Sequence, residues 1–395
     1  MTTNDPAAGP GLLGIVPKAS IIIQDGLVAW VGPTGSAPSA DTATDLGGRA
    51  VIPGWVDSQT QLICPVDQVD EFAAGMRRHG DVAVRMQRTL DATRAAADPD
   101  LLAAARWRRS EMLGGGTTCA ATATGYGLTV RDEARAAMTA QTAGFDDISF
   151  FGANVVPPEY GRDPDGYLDL VCGPMLDAVA PLVGWIDVAC AGGAFDSARA
   201  RRVLAAGQRK GLGLRVHGDP FGSGPAALVA VDTGAASVDV SSHLTDQDVT
   251  ALAGSDTAAT VLPLRELANG QPPVPGRRLL DAGVRIAVAS GCNPETSYSP
   301  SMNLAVALAV LQCGLTPAEA VHAGTVGGAR ALHRTDVGAL TVGARADLHV
   351  LNAPSFEYLA YRPGLQLTQS VYRRGTRVAR SGDLPDLAGP ERRGQ

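Results

Sequence analysis

From about Val51 to Arg334 the chain repeats one pattern: short apolar runs of about four to eight residues alternate with Ala- and Arg-rich stretches. The apolar runs are AVIPGWVDSQTQ, TTCAATATGYG, ISFFGANVV, GWIDVACAGG, GLRVHGD, AASVDVSS, AATVLPL and RIAVASGCN. Their continuous apolarity suits strands buried on both faces, and the helical stretches between them suit crossovers that keep such strands parallel. Eight units of this kind predict an α/β chain folded as a (β/α)8 barrel, with its chemistry at the C-terminal ends of the strands. Helix signals agree. Asp98-Pro99 reads as an N-cap and first turn before LLAAARWRRSEML, with Gly114 to Gly116 ending it. Thr316, Pro317 and Glu319 set a capping start for TPAEAVHAGTVGGARALHR.

The two ends follow a different pattern. ASIIIQDGLVAWVG places two β-rich runs around Asp25-Gly26, the signature of a tight hairpin. DVGALTVGARADLHVLNAP and LTQSVYRRGTRVAR repeat that strand-and-turn pattern near the other end. The expected organisation is a small β-sandwich from residues 1–50 plus 335–395 beside a barrel over residues 51–334.

Charge and composition narrow the partners. A formal net charge of −7 over 395 residues repels phosphate backbones and anionic lipid, so nucleic acid and membrane surfaces are not expected. The start, MTTNDPAAGPGLLGIVPKAS, lacks a basic segment leading into an apolar one, and a cytoplasmic address is expected. The six cysteines form no C-x-x-C pair and read as small buried hydrophobes.

The stretches DGLVAWVGP, GGRAVIPGWVDSQTQL, GYGL, FGANVVPPEY, LRVHGD, NPETSYSPSMNLA and VGALTVGARADLHVL resemble imidazolonepropionase, a member of the amidohydrolase superfamily, over about residues 20 to 380. That resemblance implies a metal-dependent barrel with a terminal β-sandwich, a homodimer, and hydrolysis of the cyclic amide of imidazolone-propanoate. Matched position by position, the active site departs from the family's. Where the family has PGLVDPHTHL, with both histidines on the metal, this chain has Gln59 and Gln61. His217 matches the third metal histidine, but Pro220 stands at the catalytic glutamate. Val240 stands at the next histidine, with His243 three residues on, and Gly291 at the metal aspartate. Asn154, Ala191 and Gln68 replace a family His, Glu and Arg, whereas Arg94, Tyr126 and Asn293 match.

Transition-metal sites rely on imidazole, thiolate and carboxylate donors, which in strong zinc sites supply on the order of 10 kcal/mol or more. A neutral amide oxygen is a weak substitute. No metal and no other cofactor is therefore expected. Gln59 and Gln61, two apart on one strand, keep the geometry of a pair without its basicity. Three readings stand open: a metal-independent enzyme acting on a small polar metabolite by cyclisation, isomerisation or elimination, a non-catalytic binding or scaffold protein, and a cyclic-amide hydrolase with an atypical metal site. For the first, His217, Asp219 and Tyr126 are the proton-transfer candidates. Gln59, Gln61, Gln68, Arg94, Asn154 and Asn293 are the ligand-positioning candidates, for a small-molecule ligand. Each has a bland alternative, such as a structural ion pair for Arg94 or a rim aromatic for Tyr126.

Overall fold

The computed structural model describes residues 1–65, 69, 82–161, 163–191, 195–218 and 222–380. Among them, the strands, numbered in chain order, are β1 (Ala19–Gln24), β2 (Leu27–Pro33), β3 (Val51–Pro53), β4 (Trp55–Asp57), β5 (Thr117–Ala123), β6 (Asp147–Ala153), β7 (Trp185–Cys190), β8 (Gly213–Gly218), β9 (Ser237–Val240), β10 (Ala258–Val261), β11 (Ile286–Val288), β12 (Leu348–Leu351), β13 (Thr368–Arg373) and β14 (Thr376–Arg380). Strands β4 to β11 lie in sequential order in one eight-stranded sheet, and every pair in it is parallel. The predicted apolar runs each supply one of these strands. β5 illustrates why their sequences are apolar throughout, since all its residues are buried.

The sheet closes through residues just beyond β4 and β11. Thr60 forms a parallel bridge with Cys292. The Gly291 amide donates to the Gln59 carbonyl at 3.0 Å, and the Gln61 amide donates to the Cys292 carbonyl at 2.9 Å. The backbone of the glutamine pair is thus the barrel's seam. Beneath it, buried Asp57 accepts from the Ser290 amide at 3.1 Å and the Ser290 hydroxyl at 2.5 Å. Burial pushes the Asp57 carboxyl up to about 6, against the pull of the Ser290 hydrogen bonds.

The terminal residues form a hairpin and a second sheet. In the β1–β2 hairpin, Gln24 pairs with Leu27 across Asp25 and Gly26, both at positive φ (52° and 79°), as a two-residue type I′ connection requires. The second sheet runs β14-β13-β12-β3. Its fourth strand, Val51–Pro53, belongs to the span read from sequence as barrel, and the chain passes from one sheet to the other at Gly54. Val28, Val51, Leu340, Leu348 and Val350 form a shared core against which Ile21 and Ile23 pack, so the two ends bury one another's apolar faces. The sheet is tied to the barrel by charge. Asp146, the residue before β6, meets Arg109, Arg345 and Arg373 at 3.3, 2.9 and 2.8 Å.

Two helix expectations shift in detail. The Asp98–Gly114 helix has Ala97 as its N-cap, one residue before the predicted Asp98, which sits in the first turn. The helix capped by Thr316 and Glu319 widens over Ala323–Gly327. There it lies directly on the barrel: a Cβ on Gly327 would stand 2.3 Å from the Ile286 carbonyl oxygen.

Candidate active site

The strand ends place His217 at the mouth of the barrel, as the penultimate residue of β8. Its Nδ1 lies 2.9 Å from Oδ1 of Asp187, which projects from β7 and is almost fully buried. An ionised carboxylate only accepts, so Nδ1 carries the proton and Nε2 is the basic nitrogen. Nε2 faces the side-chain nitrogen of Gln59, whose amide N–H donates to it while the ring is neutral. Formation of the imidazolium requires that amide to turn and present its oxygen. Phe151 stacks on the ring at 4.2 Å and holds its plane. Burial opposes the charged ring, but Asp187 and Asp239 outweigh both burial and Arg215, so the His217 pKa is raised above its ordinary value.

Asp239, on β9, accepts from the Gly218 amide at 3.1 Å and from Arg265 at 2.6 Å. Arg265 also donates to the Val240 carbonyl at 2.9 Å and to Glu266 at 2.7 Å. Arg215 fills the interior below the site, donating to the Ser149 hydroxyl at 3.0 Å and the Ser58 carbonyl at 2.6 Å.

The other sequence candidates divide. Gln61 is buried and donates through Nε2 to the Thr124 carbonyl at 2.8 Å. Asn154 donates to the Gly125 carbonyl at 3.1 Å. Both amides therefore line the loop after β5, where Gly125 approaches Phe151. That loop is ordered by Glu133, which accepts from the amides of Gly125, Gly127 and Leu128 at 3.0, 2.9 and 2.8 Å. Tyr126, at its centre, is buried, and its hydroxyl donates to Glu295 at 2.5 Å. Arg94 donates to the Gly127 carbonyl at 2.7 Å and pairs with Glu159 at 2.8 Å. Asn293 spends its side chain on a local turn, accepting from the amides of Glu295 and Thr296 at 3.0 and 2.8 Å. Gln68 and Asp219 lie outside the described residues. His243 is exposed on the loop after β9.

The sequence reading missed Asp187, Asp239, Arg265 and Glu295. The first two left a signal, because an acidic residue inside an otherwise apolar strand must find a partner. Arg265 and Glu295 sit on loop and helix stretches with nothing to mark them.

Among the described residues, no group of three or more His, Cys, Asp and Glu side chains is placed to hold a metal ion. His217 offers one nitrogen, already met by an amide, and of the described carboxylates around it Asp187 is engaged by the ring itself and Asp239 by Arg265. That donor set does not fit a catalytic zinc, which takes three imidazole, thiolate or carboxylate ligands.

The Amidohydrolase family profile matches residues 242–374. The chain is 52% identical over 382 residues to the imidazolonepropionase of Saccharopolyspora erythraea, covering 96% of each protein. It is 48% identical over 375 residues to that of Mycolicibacterium smegmatis, covering 95% of this chain and 94% of the relative. The chain belongs to the imidazolonepropionase family. The fold is shared more widely. An adenosine deaminase from Xanthomonas campestris with bound zinc superposes with a TM-score of 0.71 at 18% identity, over 94% of this chain and 90% of that one. The atrazine chlorohydrolase TrzN from Arthrobacter aurescens gives 0.69 at 17%, over 93% and 92%. Within the imidazolonepropionase framework, the mouth of this chain holds a buried-carboxylate and histidine pair flanked by amides.

Proposed function

We propose that this imidazolonepropionase relative carries a metal-independent site for a small polar metabolite of the cyclic-amide or amino-acid-derived kind, with His217 as its proton acceptor. The observation that carries the proposal is the Asp187–His217 pair. Asp187 fixes the tautomer and orientation of the ring from below and favours the imidazolium that forms when Nε2 takes a proton. Nε2 points to the mouth, where Gln59 and Asn154 supply amides able to position a ring that has both N–H donors and a carbonyl acceptor. Such a pair suits cyclisation, isomerisation or elimination, in which one proton moves and no activated water is needed. Among the described residues no three metal-ligating side chains converge, which supports the same reading.

A second reading, hydrolysis of imidazolone-propanoate, is favoured by the 52% identity to a protein named for that activity. One experiment separates the two. The purified protein is analysed for transition metals and screened by thermal shift against cyclic amides with and without added zinc. The proposal expects ligand binding that ignores a chelator and is lost in His217→Ala; stoichiometric metal, with binding or turnover that the chelator abolishes, would favour the hydrolase.

A further inference from the structure

Glu295 is a carboxylate in an unusual setting. It stands on the loop after β11, is 4% exposed, and is gripped by groups from two other segments at the barrel mouth. The Tyr126 hydroxyl, from the loop after β5, donates to Oε2 at 2.5 Å. The Thr89 hydroxyl, from the helix Val82–Ala95, lies 2.6 Å from Oε1. Arg85 of the same helix donates to the Glu295 carbonyl at 2.8 Å, which brings its guanidinium alongside. A phenol and a threonine hydroxyl meeting on one buried carboxyl group, with Arg85 on the main-chain carbonyl beside it, make a pocket for a carboxylate. Here the carboxyl group is the chain's own, and burial pushes its pKa up against the pull of Thr89 and Tyr126. Arg94 is matched in the same way by Glu159.

The pocket adjoins the site. Gly125, next to Tyr126, is in contact range of Phe151 and the Gln61 amide, and Phe151 stacks on His217. Asn154 joins the two, since its amide donates to the Gly125 carbonyl and lies 4.0 Å from the Met86 sulfur on the helix that carries Thr89. A free carboxylate tail arriving there would find Tyr126 and Thr89 already engaged by the two oxygens of Glu295.

We propose that Glu295 is a built-in carboxylate ligand of the barrel mouth, and that the site in consequence takes uncharged cyclic amides and rejects rings bearing a carboxylate tail. The choice of ring rests on the metal-independent reading above; the role of Glu295 does not. Replacing Glu295 by Ala empties the pocket and leaves its donors, so a small carboxylate should refill it. With sodium propionate against sodium chloride at equal ionic strength, Glu295→Ala should gain about 2 °C or more in Tm, while the native protein gains less than about 0.5 °C. Adding Tyr126→Phe should remove that gain. A glutamate that merely bridges loops would give a destabilised variant indifferent to propionate, and this result would overturn the proposal.

The ligand class is read separately. The native protein should bind hydantoin more tightly than hydantoin-5-propanoate, and Glu295→Ala should shift that ratio about tenfold toward the propanoate. If the alanine variant does not fold, Glu295→Gln should shift the ratio in the same direction. Native protein that prefers the propanoate, or that binds neither ring, refutes the ligand class. Metal content measured on the same samples tests the metal-independent reading, so the two failures remain distinct.

Discussion

Asp146 offers the sharpest test of how the terminal sheet is held to the barrel. Its carboxylate is 4% exposed and receives Arg109 at 3.3 Å, Arg345 at 2.9 Å and Arg373 at 2.8 Å, with the Ala120 amide at 3.1 Å. Burial alone would raise its pKa, but the three guanidinium groups overcome it and hold the carboxyl below its ordinary value. Asp146→Asn keeps the shape and removes the charge. Arg345 keeps Asp347 at 2.5 Å, but Arg109, with 5% of its side chain exposed, loses its ion-pair partner. Breaking a buried pair from one side costs about 3–5 kcal/mol, because the other charge remains in the interior. The measurement is equilibrium unfolding in urea followed by tryptophan fluorescence. Asp336→Asn is the control: its partner Arg334 and the Asp336 carboxyl are partly exposed, and exposed pairs contribute under about 1 kcal/mol. A depressed carboxylate stabilises above its unfolded pKa and loses that effect as the pH falls through the folded value. The native advantage over Asp146→Asn should therefore be level near neutrality and shrink in acid. A cost no larger than that of Asp336→Asn, or one that does not change with pH, would refute the assignment of the cluster as the clamp.

Other outcomes follow from the site and the barrel. The raised pKa of His217 means its proton-linked stabilisation is fully present below the unfolded value and lost as the pH rises through the folded one, so Asp187→Asn should destabilise more at about pH 5 than at about pH 9 in urea titrations. Gln59→His with Gln61→His should bind zinc weakly, and adding Gly291→Asp should strengthen it markedly, as read by isothermal titration; equal affinities would show that Gly291 does not face the site. Gly116→Ala should cost about 1–3 kcal/mol in strain alone, since Gly116 sits at φ 98° and a Cβ there would stand 2.5 Å from Nδ1 of buried His349, and thermal unfolding measures it.

Much of the fold is legible from local pattern. The apolar runs name the barrel strands because a strand buried on both faces needs no alternation, and Asp25-Gly26 names the hairpin because few dipeptides reach two successive positive-φ positions. The pairing of the two ends was legible as well, since neither could bury its apolar face alone. Thr316, Pro317 and Glu319 mark where their helix starts, but its widening at Ala323–Gly327 reflects contact with the barrel strands, which local propensity does not encode.

The sequence by itself determined which side chains stand at the strand ends: amides at 59 and 61, an imidazole at 217, and no donor at 291, which is glycine. Side-chain alternation along a strand is a local property, so residue type and strand position already fix what chemistry can face the mouth. Only the tertiary structure decided which groups meet. Asp187 reaches His217 from a neighbouring strand, 30 residues away in sequence, and Tyr126 meets Glu295 across 169 residues. Those partners are set by strand order, stagger and loop packing, which depend on the whole closed sheet, and no window of sequence around either residue contains that information.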